Sequence, residues 1–146
     1  MRTAVLLLVL GSMLSTASIA LAQEKQTPEI TSTASKVVDL QVERRKVLSE
    51  VAEIANIHFK NGAVMYDTVC EAEIKLAAAD LPLAQTANAR QAIHKRKIEW
   101  LQKLEDYREV QFKNANGGRV EYLNAKADRL QAEIDMLQDR IDVSEK

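Results

Sequence analysis

Cys70, His58 and His94 are the only thiol and imidazole groups in the chain, so a cysteine nucleophile, a histidine base or a soft-metal site would have to be made from them. A metal centre needs three or four converging ligands, and this stock is too small to suggest one. His58 falls on an apolar seam at a helix end beside Gly62, and His94 opens the basic run 94–97. Capping and solvated roles are expected for both. Cys70 occupies a small seam position and is expected to be buried as a hydrophobe. Being the sole cysteine, it cannot form an intrachain disulfide; an intermolecular one in an oxidising compartment is the alternative.

Carboxylates abound, but they alternate with Lys and Arg at helical spacing, as in Glu99 with Lys103 and Glu105 with Arg108. That is the pattern of a solvated face carrying weak ion pairs. Arg44-Arg45-Lys46 and Lys95-Arg96-Lys97 could touch anionic lipid or a partner, although their acidic neighbours make solvated faces the expectation. Gly117-Gly118 lacks the preceding strand and the Lys-Ser/Thr of a phosphate loop. Trp100 and Tyr107 lie on one helical side and read as core. No catalytic constellation emerges, so no enzyme activity, metal or cofactor is expected, and neither nucleic acid nor a small-molecule substrate is indicated.

The elements that carry these residues are helical. Gly and Pro are scarce, aromatics make up 4% and charged residues 28%, which reads as long helices with a narrow apolar seam. Val37, Leu40, Arg44, Val47, Val51, Ile54 and His58 step by three and four, with Leu48, Ala52, Ala55 and Phe59 beside them, the spacing of one helical face. Asn61-Gly62 suits the left-handed residue that ends a helix. Cys70, Ile74, Ala77, Leu81 and Ala84 mark a second helix, flanked by Val69 and Leu76. Ala89, Ile93, Trp100, Leu104 and Tyr107 mark a third, running to about Lys113 before Asn116-Gly117-Gly118 breaks it. Leu123, Ala127, Leu130, Ile134, Leu137 and Ile141 form the cleanest heptad in the chain, which implies supercoiling against a neighbour.

Residues 51–83 also lie over residues 104–136 without a gap, 53 positions on. Phe59-Lys60-Asn61 repeats as Phe112-Lys113-Asn114, Ala72 as Ala125 and Ala79 as Ala132, with Ile57/Val110, Asp80/Glu133 and Leu81/Ile134 as conservative pairs. A fixed period of this size marks a supersecondary unit used twice. If that unit is helix–turn–helix, its boundary falls between Pro82, which removes a backbone donor, and Thr86, which can cap a fresh helix. The expected fold is then all-α: long antiparallel, coiled-coil-like helices over 36–146, in two hairpins of about 36–85 and 86–144, with both Gly turns at one end. One continuous kinked helix from Met65 to Lys113 is the alternative, and would put the turns at opposite ends.

Ahead of this domain, residues 1–22 read as a secretion signal: Arg2, an apolar core at 4–10, and the small-x-small Ala20-Leu21-Ala22 before Gln23. A membrane anchor is the alternative, since residues 3–22 carry no charge. Residues 23–35, polar and containing Pro28, read as a flexible leader. Removing Arg2 takes the net charge from −1 to −2, which suggests neither a polyanion-binding nor a strongly acidic function. Four short helices with paired apolar seams and no disulfide make a small core, so a homo-oligomer or an envelope protein partner is expected.

The two copies together resemble the α-helical repeats of the TolC-type outer-membrane efflux proteins. The first reads Phe59-Lys60-Asn61-Gly62-Ala63-Val64-Met65-Tyr66-Asp67-Thr68-Val69-Cys70-Glu71-Ala72; the second starts at Phe112 and includes Glu121, Leu123 and Ala125. The likeness covers residues from about 40 to 140. It implies that the hairpin turns form a docking tip for adaptor proteins, with Gly62, Asp67, Gly117, Gly118 and Glu121 at that tip. Two departures stand out: no strand-like alternation follows the signal, and Ala115 stands where the first copy has Gly62. The expectation is an exported, non-catalytic interaction protein, periplasmic or outer-membrane-associated, efflux-related but not a complete channel. The alternative is a free-standing structural or chaperone-like coiled-coil protein.

Overall fold

The computed structural model describes residues 28–144. The signal read in residues 1–22, and the start of the leader, lie outside the described residues. Four α-helices form: α1 (Pro28–Lys60), α2 (Tyr66–Asp80), α3 (Ala87–Lys113) and α4 (Arg119–Ser144), with a 3-10 turn at Leu81–Leu83. The described chain is all-α. Residues 28–35, read from sequence as flexible leader, are instead the first turns of α1. Proline is preorganised for the first helical position, where its missing N–H would have no helical partner anyway.

Between α2 and α3 the chain breaks at the residues that favour a break. Pro82 sits inside the 3-10 turn, and Thr86, in extended conformation, caps α3 by accepting a hydrogen bond from the Ala89 N–H at 3.1 Å. The continuous central helix does not form. Arg45 meets Asp80 while Phe59 meets Tyr66, so α1 and α2 run antiparallel. Asp80 meets Arg96 while Tyr66 meets Tyr107, and Arg90 meets Asp139 while Phe112 meets Tyr122. The same holds, then, for α2 with α3 and α3 with α4, and both hairpin turns lie at one end.

Among the described residues α1 packs on α2, α2 on α3 and α3 on α4, whereas α1 and α4 do not touch. The helices form an open row instead of a closed bundle. Small side chains allow the close approach: Ala52, Ala55, Val69 and Ala72 make one buried cluster under Leu76 and Trp100, and Cys70, Leu104 and Ala125 make another under Tyr66, Ile74 and Trp100. Alanine at the contact brings helices toward the short end of the usual ~8–10 Å separation.

The open row leaves two faces uncovered. On α4 the inward seam is Tyr122, Ala125, Arg129, Ala132, Met136 and Asp139, all buried or half-buried. The heptad of Leu123, Leu130, Ile134, Leu137 and Ile141 is 44–55% exposed, and at 3.6 residues per turn it lies roughly 200° around the helix from that seam. The strongest heptad in the sequence therefore faces away from α3. On α1 the weaker seam that includes Ala52 and Ala55 turns inward, and Val37, Leu40, Val47, Val51 and Ile54 stay 43–56% exposed.

Candidate functional site

The turns at the common end are closed by the same hydrogen bonds. At the end of α1, the Gly62 N–H donates to the Phe59 carbonyl at 2.9 Å and the Ala63 N–H to the His58 carbonyl at 2.8 Å. At the end of α3, Ala115 donates to Phe112 at 3.1 Å and Asn116 to Gln111 at 2.9 Å. This is the paired Schellman closure of a helix C-terminus, twice, 53 positions apart. The closure requires a left-handed residue: Gly62 has φ 71° and Ala115 has φ 58°. Glycine reaches that conformation without cost, whereas alanine is strained there. Ala115, not Gly117 or Gly118, is thus the counterpart of Gly62.

The other glycines have their own reasons. A Cβ on Gly117 would stand 3.0 Å from the Gln111 Cβ, and one on Gly118 would run into the Glu121 carboxylate, which folds back over the start of α4. Asp67 and Glu121 lie in the first turns of α2 and α4, where a negative charge meets the positive end of the helix dipole. Asp67 also binds Arg108 at 2.8 Å. Arg108 and Glu121 line one polar groove with Glu71, Asn124 and Asp128. The structure thus brings Asp67, through Arg108, to the groove that Glu121 lines, while Gly62 closes the neighbouring turn.

Five of the six aromatic residues gather at this end and give it a rigid apolar body. Phe59 and Tyr66 pack with ring centroids 5.3 Å apart, Tyr66 and Tyr107 at 5.9 Å, and Phe112 and Tyr122 at 6.3 Å. Beside them Met65 and Val120 are 68% and 66% exposed. Trp100 lies deeper, with the Lys103 ammonium 3.8 Å from its ring centroid.

Several charged groups behave differently from the solvated faces read in sequence. Asp80 is gripped by Arg45 at 2.9 Å and by Arg96, so it joins α1, α2 and α3. Burial alone would raise its carboxyl, but the two guanidiniums outweigh burial and hold it below the ordinary value of 3.8. Arg45 and Arg96 both come from runs expected to be merely solvated. Glu105, expected to pair with Arg108 on an exposed face, is buried and bound by Arg129 from α4 at 2.5 Å. Arg129 also binds Glu133 one turn on, and hydrogen bonds to the two carboxylates raise its pKa further.

His94, expected in a solvated run, is buried as well, with its Nδ1 unpartnered among protein atoms. Its spacing from Leu101 and Leu104, which are also buried, was the available signal. Cys70 is fully buried, and burial pushes its thiol up to about 11, so it is neither a thiolate at neutral pH nor placed to reach the thiol of a second copy. Among the described residues no three of His, Cys, Asp and Glu gather at a metal-binding distance, and no helix is long and apolar enough to cross a membrane. Comparison with protein-family models, curated proteins and solved structures finds no match to this chain.

Proposed function

We propose that the chain is an exported, non-catalytic helical interaction protein, similar to the periplasmic hairpins of TolC-type efflux proteins and efflux-associated without being a complete channel. In this reading the duplicated 53-residue unit is a helix–turn–helix, and the seams on the edge helices are coiled-coil docking surfaces. The observation that carries it is the pair of uncovered apolar seams on α1 and α4. Soluble monomers rarely leave apolar stripes of this length in water, and anchors at i, i+3, i+4 and i+7 are what helix-docking partners read. The shared end of the two turns, with exposed Met65 and Val120 on an aromatic base, supports a docking tip.

A photo-reactive residue at Met65 or Val120, and separately at Leu130, tests the reading in the exporting cell. Adducts from the tip positions with an adaptor of an inner-membrane pump are the expected result. Adducts from Leu130 alone would favour the free-standing structural protein. No adduct from any of the three would overturn the interaction reading.

A further inference from the structure

We propose that α4 pairs with α4 of a second copy as an antiparallel, two-fold symmetric coiled coil centred between Ile134 and Leu137. The proposal rests on reading the α4 seam as a docking surface, and it adds the occupant, the direction and the register. Three facts select them: where the apolar residues fall, which charges flank them, and which face α3 has taken.

In heptad terms Leu123, Leu130 and Leu137 occupy d, and Ala127, Ile134 and Ile141 occupy a. Ala125, Ala132 and Asp139, which meet α3, then occupy f, opposite the a/d seam. Packing on α3 and packing through the heptad therefore use different sides of one helix. The e positions are Asn124, Gln131 and Gln138; the g positions are Arg119, Lys126, Glu133 and Arg140.

In an antiparallel pair, a faces d, g flanks g and e flanks e. Setting Ile134 opposite Leu137 of the second copy gives two central layers of Ile on Leu by symmetry, and Leu130 falls opposite Ile141 in the next layers outward. The same register sets Glu133 beside Arg140 of the second copy, twice, and Gln131 beside Gln138, twice. Both sides of the seam are then complementary. One oxygen of Glu133 is held by Arg129, and Arg140 donates through Nε to Gln91 at 2.7 Å, so both side chains are oriented by their own protomer before a second copy arrives.

The competing arrangements lose a feature. One heptad toward the turn, the antiparallel pair would set Lys126 beside Glu133, but it would bring Ala127 into the central layers and set Arg119 beside Arg140, a like-charge contact. A parallel, in-register pair sets g against e, so Glu133 would face Gln138 and Lys126 would face Gln131, with no ion pair among the described residues. The α1 seam is a poorer partner because Arg44 and His58 interrupt it. From Leu123 to Ile141 the α4 seam runs about 27 Å at 1.5 Å per residue, and it contains four uninterrupted large aliphatics at Leu130, Ile134, Leu137 and Ile141.

The test uses the full mature chain carrying Cys70→Ala, with Gln131→Cys and Gln138→Cys introduced in separate preparations. Mild oxidation of the two mixed together should give covalent dimer several-fold above either alone, because only unlike positions are neighbours. Efficient cross-linking of a Leu137→Cys variant with itself, and none in the mixture, would signal a parallel pair and overturn the proposal. As a second arm, Leu137→Asp should raise the dimer dissociation constant on the order of a hundredfold, as expected for removing two buried leucines per dimer, and leave helicity and thermal midpoint of the monomer unchanged. Dimerisation that survives Leu137→Asp would also overturn it. If the mixture fails to cross-link while Met65 adducts form in cells, the α4 pairing is wrong and the interaction reading stands. A monomer that forms no adducts at all removes both.

Discussion

In the first hairpin Ala52 lies in an apolar cluster under Leu76; in the second, 53 residues on, Glu105 lies buried against Arg129. The two pairs occupy matching places below turns that share their hydrogen bonds, and one is aliphatic where the other is ionic. The difference extends along each hairpin. Apart from Asp80 and the Asn56–Glu73 bond at 3.2 Å, α1 and α2 meet through apolar and aromatic side chains: Ala52, Ala55, Val69, Ala72 and Leu76, with Phe59 on Tyr66. Helices α3 and α4 add Arg90–Asp139 at 3.0 Å, Lys97–Asp135 at 3.8 Å and the Gln91–Arg140 bond. Small apolar contacts supply burial but tolerate sliding, while charge pairs specify which residue meets which. A buried pair adds little net stability and yet is costly to break from one side. The first hairpin is thus held by packing, and the second by packing with a fixed register.

Removing one partner of the ionic pair should break the comparison most severely. Arg129→Leu leaves Glu105 buried without its cation and should cost ~3–5 kcal/mol in urea unfolding. Adding Glu105→Ala to that variant installs the first hairpin's pair in the second, and should bring stability back to within about 1 kcal/mol of the wild type, since apolar replacements of buried ion pairs are often neutral. A double variant as unstable as Arg129→Leu would show that the two places are not interchangeable.

Next in size is Asp80, which holds an arginine from each hairpin, Arg45 and Arg96. Asp80→Asn should cost ~2 kcal/mol at pH 7 by weakening charge-assisted hydrogen bonds. Its folded pKa lies below the ordinary 3.8, so its contribution is complete above the ordinary value and is lost as pH falls through that value to the lower folded one. Acid titration of stability should therefore be shallower in Asp80→Asn than in the wild type.

The turns differ by less. Gly62→Val forces a branched residue to positive φ and should cost ~1–2 kcal/mol, with no clash to add, since a Cβ there meets nothing within 4 Å. Ala115→Gly should move the other way, stabilising by ~0.5–1 kcal/mol as it relieves the strain. Equal and negligible effects at both positions would mean that the two closures do not share a conformation in solution.

Local signals were legible in the sequence. Gly62, Pro82 and Thr86 act through their own backbone chemistry, and each stands where it was expected. Cys70 is buried because its seam position is small and apolar. Which seam turns inward was not legible. Periodicity establishes that a face is apolar, but Ala52, Ala125 and Ala132 win the interior by allowing close approach, while larger Leu and Ile stay outside. The burial of Glu105 and His94, and the half-buried, doubly paired place of Asp80, escaped for a related reason. Their partners or neighbours come from other helices, and a spacing of three or four along one helix suggests a plausible partner that the fold does not use. That Ala115 stands in the place of Gly62 was legible from the register of Phe59 on Phe112; that it takes a positive φ was not, because alanine rarely does.

From Arg45, which is level with Asp80 at the end of α2, α1 continues some 17 residues back to Pro28, about 25 Å of helix at 1.5 Å per residue. Isolated helices of that length are marginal in water. Amide hydrogen exchange should therefore be fast over residues 34–44 and slow over 48–58, where α2 shields the same helix, because opening free energy follows local packing. One continuous helix then carries a protected and an unprotected half, and the exchange rate of the unprotected half becomes an internal gauge of whether anything has bound beside it.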